Sequence, residues 1–189
     1  MITKPHLKYH FFKLIVCAIL VVFVLIFKDT LVVNLRYFIG AVVVAYGIDE
    51  IAFEACCHKL NFIHKSKTYL GIIELVLGVT LLALNLDYAA ICIIWATWSI
   101  VRESYEIKDL VTEIKSVTIT ILSGLESVAV IVFSIMLIAE PGEHHAMIHI
   151  YLLCVEFILN PLVPWLDEFI EKKKAEYKEK QLQGQQKEE

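Results

Sequence analysis

The sequence predicts an all-α, polytopic membrane protein whose six transmembrane helices form three tandem two-helix hairpins. Three observations lead there. The apolar stretches are too many and too long for a soluble core. Lysine and arginine gather on one side of them. A 53-residue spacing of polar and small residues falls on their boundaries.

Of the 189 residues, 58% are hydrophobic and 20% charged, with a mean hydropathy of +0.68. That length holds six spans of about 20 residues with short loops and a tail. So few segments cannot close a transmembrane barrel, so helices must satisfy the backbone inside the bilayer.

The spans are read as Phe12 to Phe27, Tyr37 to Ala55, Tyr69 to Leu84, Tyr88 to Ile107, Ser116 to Ala139 and His145 to Leu166. The membrane domain covers residues 1–166, with hairpins at about 12–55, 69–107 and 116–166. Residues 167–189 form a charged, glutamine-rich cytoplasmic tail, expected to be helical up to Gln181 and then frayed. Lys4, Lys8 and Lys13 precede the first span, as in a signal peptide. The Lys28-Asp29-Thr30 that follows lacks a small-residue cleavage pattern, so this segment is expected to stay as the first helix.

Charge asymmetry orients the chain. The N-terminal arm, the loop with Lys59, Lys65 and Lys67, the loop with Lys108 and Lys115, and the tail carry nearly all the basic residues. The opposite side holds Lys28 and Arg36. Both termini are therefore expected in the cytoplasm, with the protein multi-pass in the cell inner or plasma membrane and the lipid bilayer as its first partner. Tyr37, Tyr69, Tyr88 and Trp165 suit interfacial positions, while Trp95 and Trp98 lie deeper as packing residues.

Glu50, Glu103 and Glu156 stand 53 residues apart, each in the second helix of its hairpin. Asn34, Asp87 and Glu140 mark the outer turns at the same spacing, and Gly71 and Gly124 repeat it in first helices. Three parallel copies of one hairpin account for this.

A charged side chain at the bilayer centre costs about 2.5–3.5 kcal/mol on insertion scales. Glu50, Glu74, Arg102, Glu103, Glu126 and Glu156 are the candidate intramembrane polar cluster, with Asp49 and Glu54 nearer the cytoplasmic interface. Glu74, Glu126 and Glu156 are least easily explained as interfacial. Three readings follow: a structural network around Arg102, a proton- or cation-responsive cavity, and a vestibule for another ligand.

Gly71, Glu74 and Gly78 share one face of the third span, where small residues admit a close neighbour. Ser116, Thr120, Ser123, Gly124, Ser127 and Ser134 form a stripe on the fifth, read as a packing seam. The two faces together suit homo-oligomerisation. Asn160-Pro161 and Pro164 are expected to kink or end the sixth helix, with Asn160 or water satisfying the freed carbonyls. His144, His145 and His149 gather at the outer mouth, and His145 and His149, four apart, are the candidate pH-sensing pair. Spacing secures no third ligand for them, so no metal site is assigned.

Cys17, Cys56, Cys57, Cys92 and Cys154 form no CxxC, metal or disulfide pattern, and Cys56-Cys57 is read as small interfacial residues rather than an acylation site. The one dense basic run, Lys172 to Lys174, lies among glutamates and makes no nucleic-acid surface. Neither HExxH, GxSxG, a P-loop nor a dinucleotide glycine pattern occurs, so no enzyme and no cofactor are expected.

Tyr69-Leu-Gly-Ile-Ile-Glu-Leu-Val-Leu-Gly-Val-Thr-Leu-Leu-Ala-Leu84 and Ala89 to Arg102 look like one hairpin of the HdeD-like family of small bacterial inner-membrane proteins. Tyr37 to Ile48 resembles the second helix of the preceding unit, and Ser123-Gly-Leu-Glu126 sits where the next begins. The resemblance covers residues 12–166. The chain departs from the pattern at Asn85-Leu-Asp87, where family units often have a proline, and at Glu103, where a glycine is common. The resemblance implies six spans and, for some members, a role in acid resistance. It carries no active-site residues across. Function is therefore expected in acid or envelope stress, through the carboxylate cluster. The alternatives are a proton- or cation-coupled transporter or channel, and a structural scaffold.

The topology is testable by cysteine accessibility in a cysteine-free background. Cysteines at Lys65, Lys115 and the tail should react only from the cytoplasm, and those at Asn34, Asp87 and Gly142 only from outside. Termini found on opposite sides would exclude six spans.

Overall fold

The structure is a computed structural model that describes residues 5–58, 66–113 and 117–185. The expected loop lysines Lys59, Lys65 and Lys115, the span-opening Ser116, and the terminal Lys4 and Lys187 lie outside the described residues. All described elements are α-helices: α1 Pro5–Val33, α2 Leu35–His58, α3 Ser66–Ala83, α4 Tyr88–Glu113, α5 Val117–Ala139 and α6 Glu143–Gln185.

Four of the six are long and apolar enough to cross a membrane: α1, α3, α5 and α6. The chain is thus an all-α protein of six helices with the apolar segments of a multi-pass membrane protein. α2 and α4 differ because charge interrupts their apolar runs, at Asp49, Glu50 and Glu54 in one and Arg102, Glu103 and Glu106 in the other. Much of that charge is buried. Glu54, Arg102 and Glu103 are 5%, 3% and 1% exposed. At the other extreme, 11% of the α1 span is buried against 44% of the α6 span, so α1 turns apolar side chains outward nearly all round.

The turns fall on the 53-residue spacing. Asn34 alone separates α1 from α2, and its Nδ2 donates to the Thr30 carbonyl at 3.0 Å. Asp87 caps α4, its Oδ1 accepting from the Ala90 backbone N–H at 2.6 Å, which satisfies one of the free donors of a helix start. Glu140 follows the end of α5, and its carbonyl meets His145 Nδ1 at 3.0 Å. The same three positions therefore serve as boundary residues.

α6 corrects one expectation. It neither ends at the prolines nor stops at Gln181, but stays helical through Pro161 and Pro164 to Gln185. Asn160 does not serve the carbonyls that Pro161 leaves without an N–H. Its Nδ2 donates to Glu106 Oε1 at 3.4 Å. Pro161 is itself fully buried, so packing holds the ring where the lost backbone bond would weaken an isolated helix.

The chain divides into two compact units. One comprises Met1–Ile26, Ser99–Ser134 and Ile148–Glu189, the other Phe27–Trp98 and Ile135–Met147. In the first, Trp165 stacks on Phe169 with centroids 5.6 Å apart and meets Phe11 at 6.4 Å. Ser127 and Ser134 of the α5 stripe are buried, as a packing seam requires.

The second unit is built on the α2–α3 pair. Gly40 and Gly47 lie seven residues apart, two helical turns, and so do Gly71 and Gly78. The helices run antiparallel with Gly47 against Gly71 and Gly40 against Gly78. A Cβ on Gly47 would sit 2.6 Å from the Gly71 carbonyl oxygen, and one on Gly78 would sit 2.8 Å from that of Gly40. Both contacts are to backbone, which cannot swing away. The small-residue face of α3 is thus taken up by α2 of the same chain. Arg36 ties the start of α2 to the α3–α4 turn, donating to the Leu84 carbonyl at 3.0 Å and to Asn85 Oδ1 at 3.1 Å.

Alanine at Gly47 or Gly71 should destabilise the protein by about 1–3 kcal/mol through overpacking. Gly142→Ala, where a Cβ meets nothing within 4 Å, should be near neutral. Thermal and denaturant unfolding in mild detergent measures both. Equal stability of all three variants would refute the seam.

Candidate functional site

Arg102 organises the polar core of the first unit. It lies on α4 with 3% of its surface exposed. Its Nη2 meets Glu106 Oε1 at 3.0 Å, one helical turn further on, and its Nε donates to Glu156 Oε1 of α6 at 3.3 Å. Glu106 also receives the Asn160 amide, so α4 and α6 are joined by two polar contacts within one turn. A buried guanidinium needs this: several N–H donors leave water at once, and each lost partner costs on the order of 1–3 kcal/mol.

Next to this pair, Glu103 of α4, Glu126 of α5 and Glu156 of α6 come together. One carboxylate oxygen from each lies within 4.8 Å of the others. Glu103 and Glu156 are buried and Glu126 is half-buried. Ser127 hydrogen-bonds the Glu103 carboxylate. One oxygen each of Glu103 and Glu126, Oε2 and Oε1 respectively, is sealed from solvent without a hydrogen-bond partner among the described residues. Three oxygen donors from three helices could hold a hard cation, although the sequence assigned no metal ligands.

The remaining candidate residues fall elsewhere. Glu74, fully buried, belongs to the second unit, where the Trp98 indole N–H donates to its Oε1 at 3.1 Å. Trp98 in turn packs on Tyr46 with ring centroids 5.5 Å apart. Trp98 is therefore a polar partner as well as a packing residue. Glu50 is half-buried beside the glycine seam, its Cβ 3.2 Å from where a Gly71 Cβ would stand.

His145 is half-buried against the Glu140 carbonyl, in the second unit. His149 sits in the first unit, 2% exposed, with Nε2 3.1 Å from Ser134 Oγ. The two histidines share a helix face in sequence, but burial makes His149 a packed, hydrogen-bonded residue rather than one lining a wet mouth.

Sequence reading missed Glu106, and it gave Ser127 and Asn160 other roles, in the packing seam and at the carbonyls freed by Pro161. The four-residue spacing of Arg102 and Glu106 was a usable signal, since such pairs meet on a helix surface. Asn160 had none, because its partner lies 54 residues away.

No protein-family model, curated protein or solved structure matches the sequence, so the polar core is read on its own geometry. Arg102→Ala leaves buried carboxylates without their counter-charge and should cost about 3–5 kcal/mol. Adding Glu156→Gln should recover part of that loss, because it removes one of the stranded charges. Unfolding midpoints of the single and double variants check this. A double variant as unstable as the summed singles would exclude the coupling.

Proposed function

We propose that this multi-pass membrane protein handles cations, protons included, at the Glu103, Glu126 and Glu156 cluster, and serves under acid or envelope stress. The observation that carries the reading is the approach of three carboxylate oxygens to within 4.8 Å on three different helices. Such a grouping is costly in apolar surroundings, and repulsion among like charges favours taking up positive charge from water. Arg102 supplies one charge, against the four carboxylates of Glu103, Glu106, Glu126 and Glu156. The balance is left to exchangeable cations.

All six helices cross the bilayer in this reading, with both termini in the cytoplasm. In α2 and α4 the buried charges of Glu54, Arg102 and Glu103 face protein, which lowers their cost in a bilayer. The resemblance to HdeD-like proteins supports the acid-stress setting. The role is binding and passage rather than bond-making chemistry. A second reading, a structural scaffold, is favoured by the Glu74–Trp98 and Arg102–Glu156 contacts, which satisfy buried polar groups without any ligand.

Proton and cation flux in reconstituted vesicles separates the two. The parent should conduct or exchange, and Glu126→Gln and Glu156→Gln should lose at least about tenfold of that flux, the scale of 1.4 kcal/mol. Cells carrying both substitutions should survive less well at low external pH. A parent without flux, in cells whose acid survival the substitutions leave unchanged, would return the carboxylates to a structural role.

A further inference from the structure

We propose that Glu103, Glu126 and Glu156 form a site for one hard divalent cation of calcium size, and that Arg102 competes with it for Glu156. This rests on the cation-handling reading and names the ion class. The three carboxylate oxygens lie within 4.8 Å of one another. The second, independent observation is the state of the oxygens. Glu103 is 1% exposed, and its Oε2, like Oε1 of Glu126, is buried without a hydrogen-bond partner among the described residues. Buried carboxylate oxygens are ordinarily satisfied, because leaving one bare costs more than a typical hydrogen bond contributes. Arg102 meets Glu106 at 3.0 Å and Glu156 at 3.3 Å.

Size and charge select the ion. Calcium takes oxygen ligands at about 2.3–2.6 Å, so ligands on opposite sides of it stand about 5 Å apart, and three oxygens within 4.8 Å of one another are compatible with an ion of that size. Magnesium, at about 2.0–2.1 Å, demands near-octahedral geometry and keeps its waters, which suits an irregular set from three helices poorly. Four carboxyl groups stand against one guanidinium in this part of the first unit, an excess of acidic ligands that a divalent ion offsets further than a monovalent one. The Ser127 hydroxyl, already on Glu103, offers one more oxygen, and water completes a coordination number of six to eight. Glu156 is shared. Its Oε1 accepts from Arg102 at 3.3 Å, so an arriving cation and the guanidinium repel across one carboxylate.

The test is calorimetric titration of the full-length protein in nanodiscs of neutral phosphatidylcholine with calcium, magnesium and sodium chlorides. One calcium per chain should bind at least about tenfold more tightly than magnesium, and sodium should compete only weakly. Glu126→Gln, whose side chain is half-buried, should keep the fold by circular dichroism and lose at least about tenfold in affinity. Glu103→Gln/Glu126→Gln should abolish binding. Arg102→Gln, where it folds, should bind more tightly. Magnesium binding as tightly as calcium, or calcium binding unchanged in the Glu126 variants, would overturn the site. Absent calcium binding with vesicle flux intact overturns this inference alone. Calcium binding without any flux supports the site and overturns the transport reading instead.

Discussion

Burying a guanidinium is the constraint on which the first unit turns. Among the buried residues described, Arg102 carries the one permanent positive charge. Its donors must be met inside the protein, and that dictates which faces of α4 and α6 meet. Glu106 supplies the partner from the same helix, Glu156 the partner from α6, and Asn160, one turn beyond Glu156, reaches back to Glu106. Once these contacts set the register, Glu103 and Glu156 are brought to Glu126 of α5 as a consequence. The cluster thus lies beside the Arg102 contacts, and it sets three carboxyl groups near one guanidinium.

The second unit is held by different physics. Between α2 and α3 the closest approach is made by glycines, where small residues leave backbone against backbone. Four glycines at two-turn spacing let backbone meet backbone, with glycine Cα positions facing carbonyl oxygens across the interface. Dispersion and weak C–H···O contacts hold such a seam, and lipid cannot compete for a surface it cannot enter. The close approach leaves Glu74, on the same face of α3 as Gly71 and Gly78, inside the unit, where the Trp98 indole meets it. Here a neutral donor meets Oε1 of the buried carboxyl group, and a structural role fits Glu74 through that contact.

Related spacing did not produce related chemistry. Glu50, Glu103 and Glu156 recur every 53 residues, yet Glu50 lies beside a glycine seam and the other two in a carboxylate cluster. The repeat marks helix boundaries well, since Asn34, Asp87 and Glu140 all sit at or beside turns. It does not mark equivalent environments. The residues that meet each glutamate decide its surroundings: Gly71 lies beside Glu50, whereas Ser127 hydrogen-bonds Glu103.

By itself the sequence determined the all-α class, the places of the turns and the presence of apolar segments of membrane length, because these follow from local quantities: run length, hydropathy and the residues at turns. It also singled out Glu50, Glu74, Arg102, Glu103, Glu126 and Glu156, because charge in an apolar run is conspicuous in one dimension. Only the tertiary structure decided how these residues are grouped. Glu103, Glu126 and Glu156 meet, while Glu74 is held by Trp98 in the other unit, and His149 is packed on Ser134 rather than open to water. Helix rotation and depth set those partners, and a rotation of one residue, about 100°, sends a side chain from lipid to core. Nothing local to Glu103 encodes the orientation of α5 or α6. Pro161 makes the same point in reverse: its local preference is to stop a helix, and burial in the folded protein carries α6 through it.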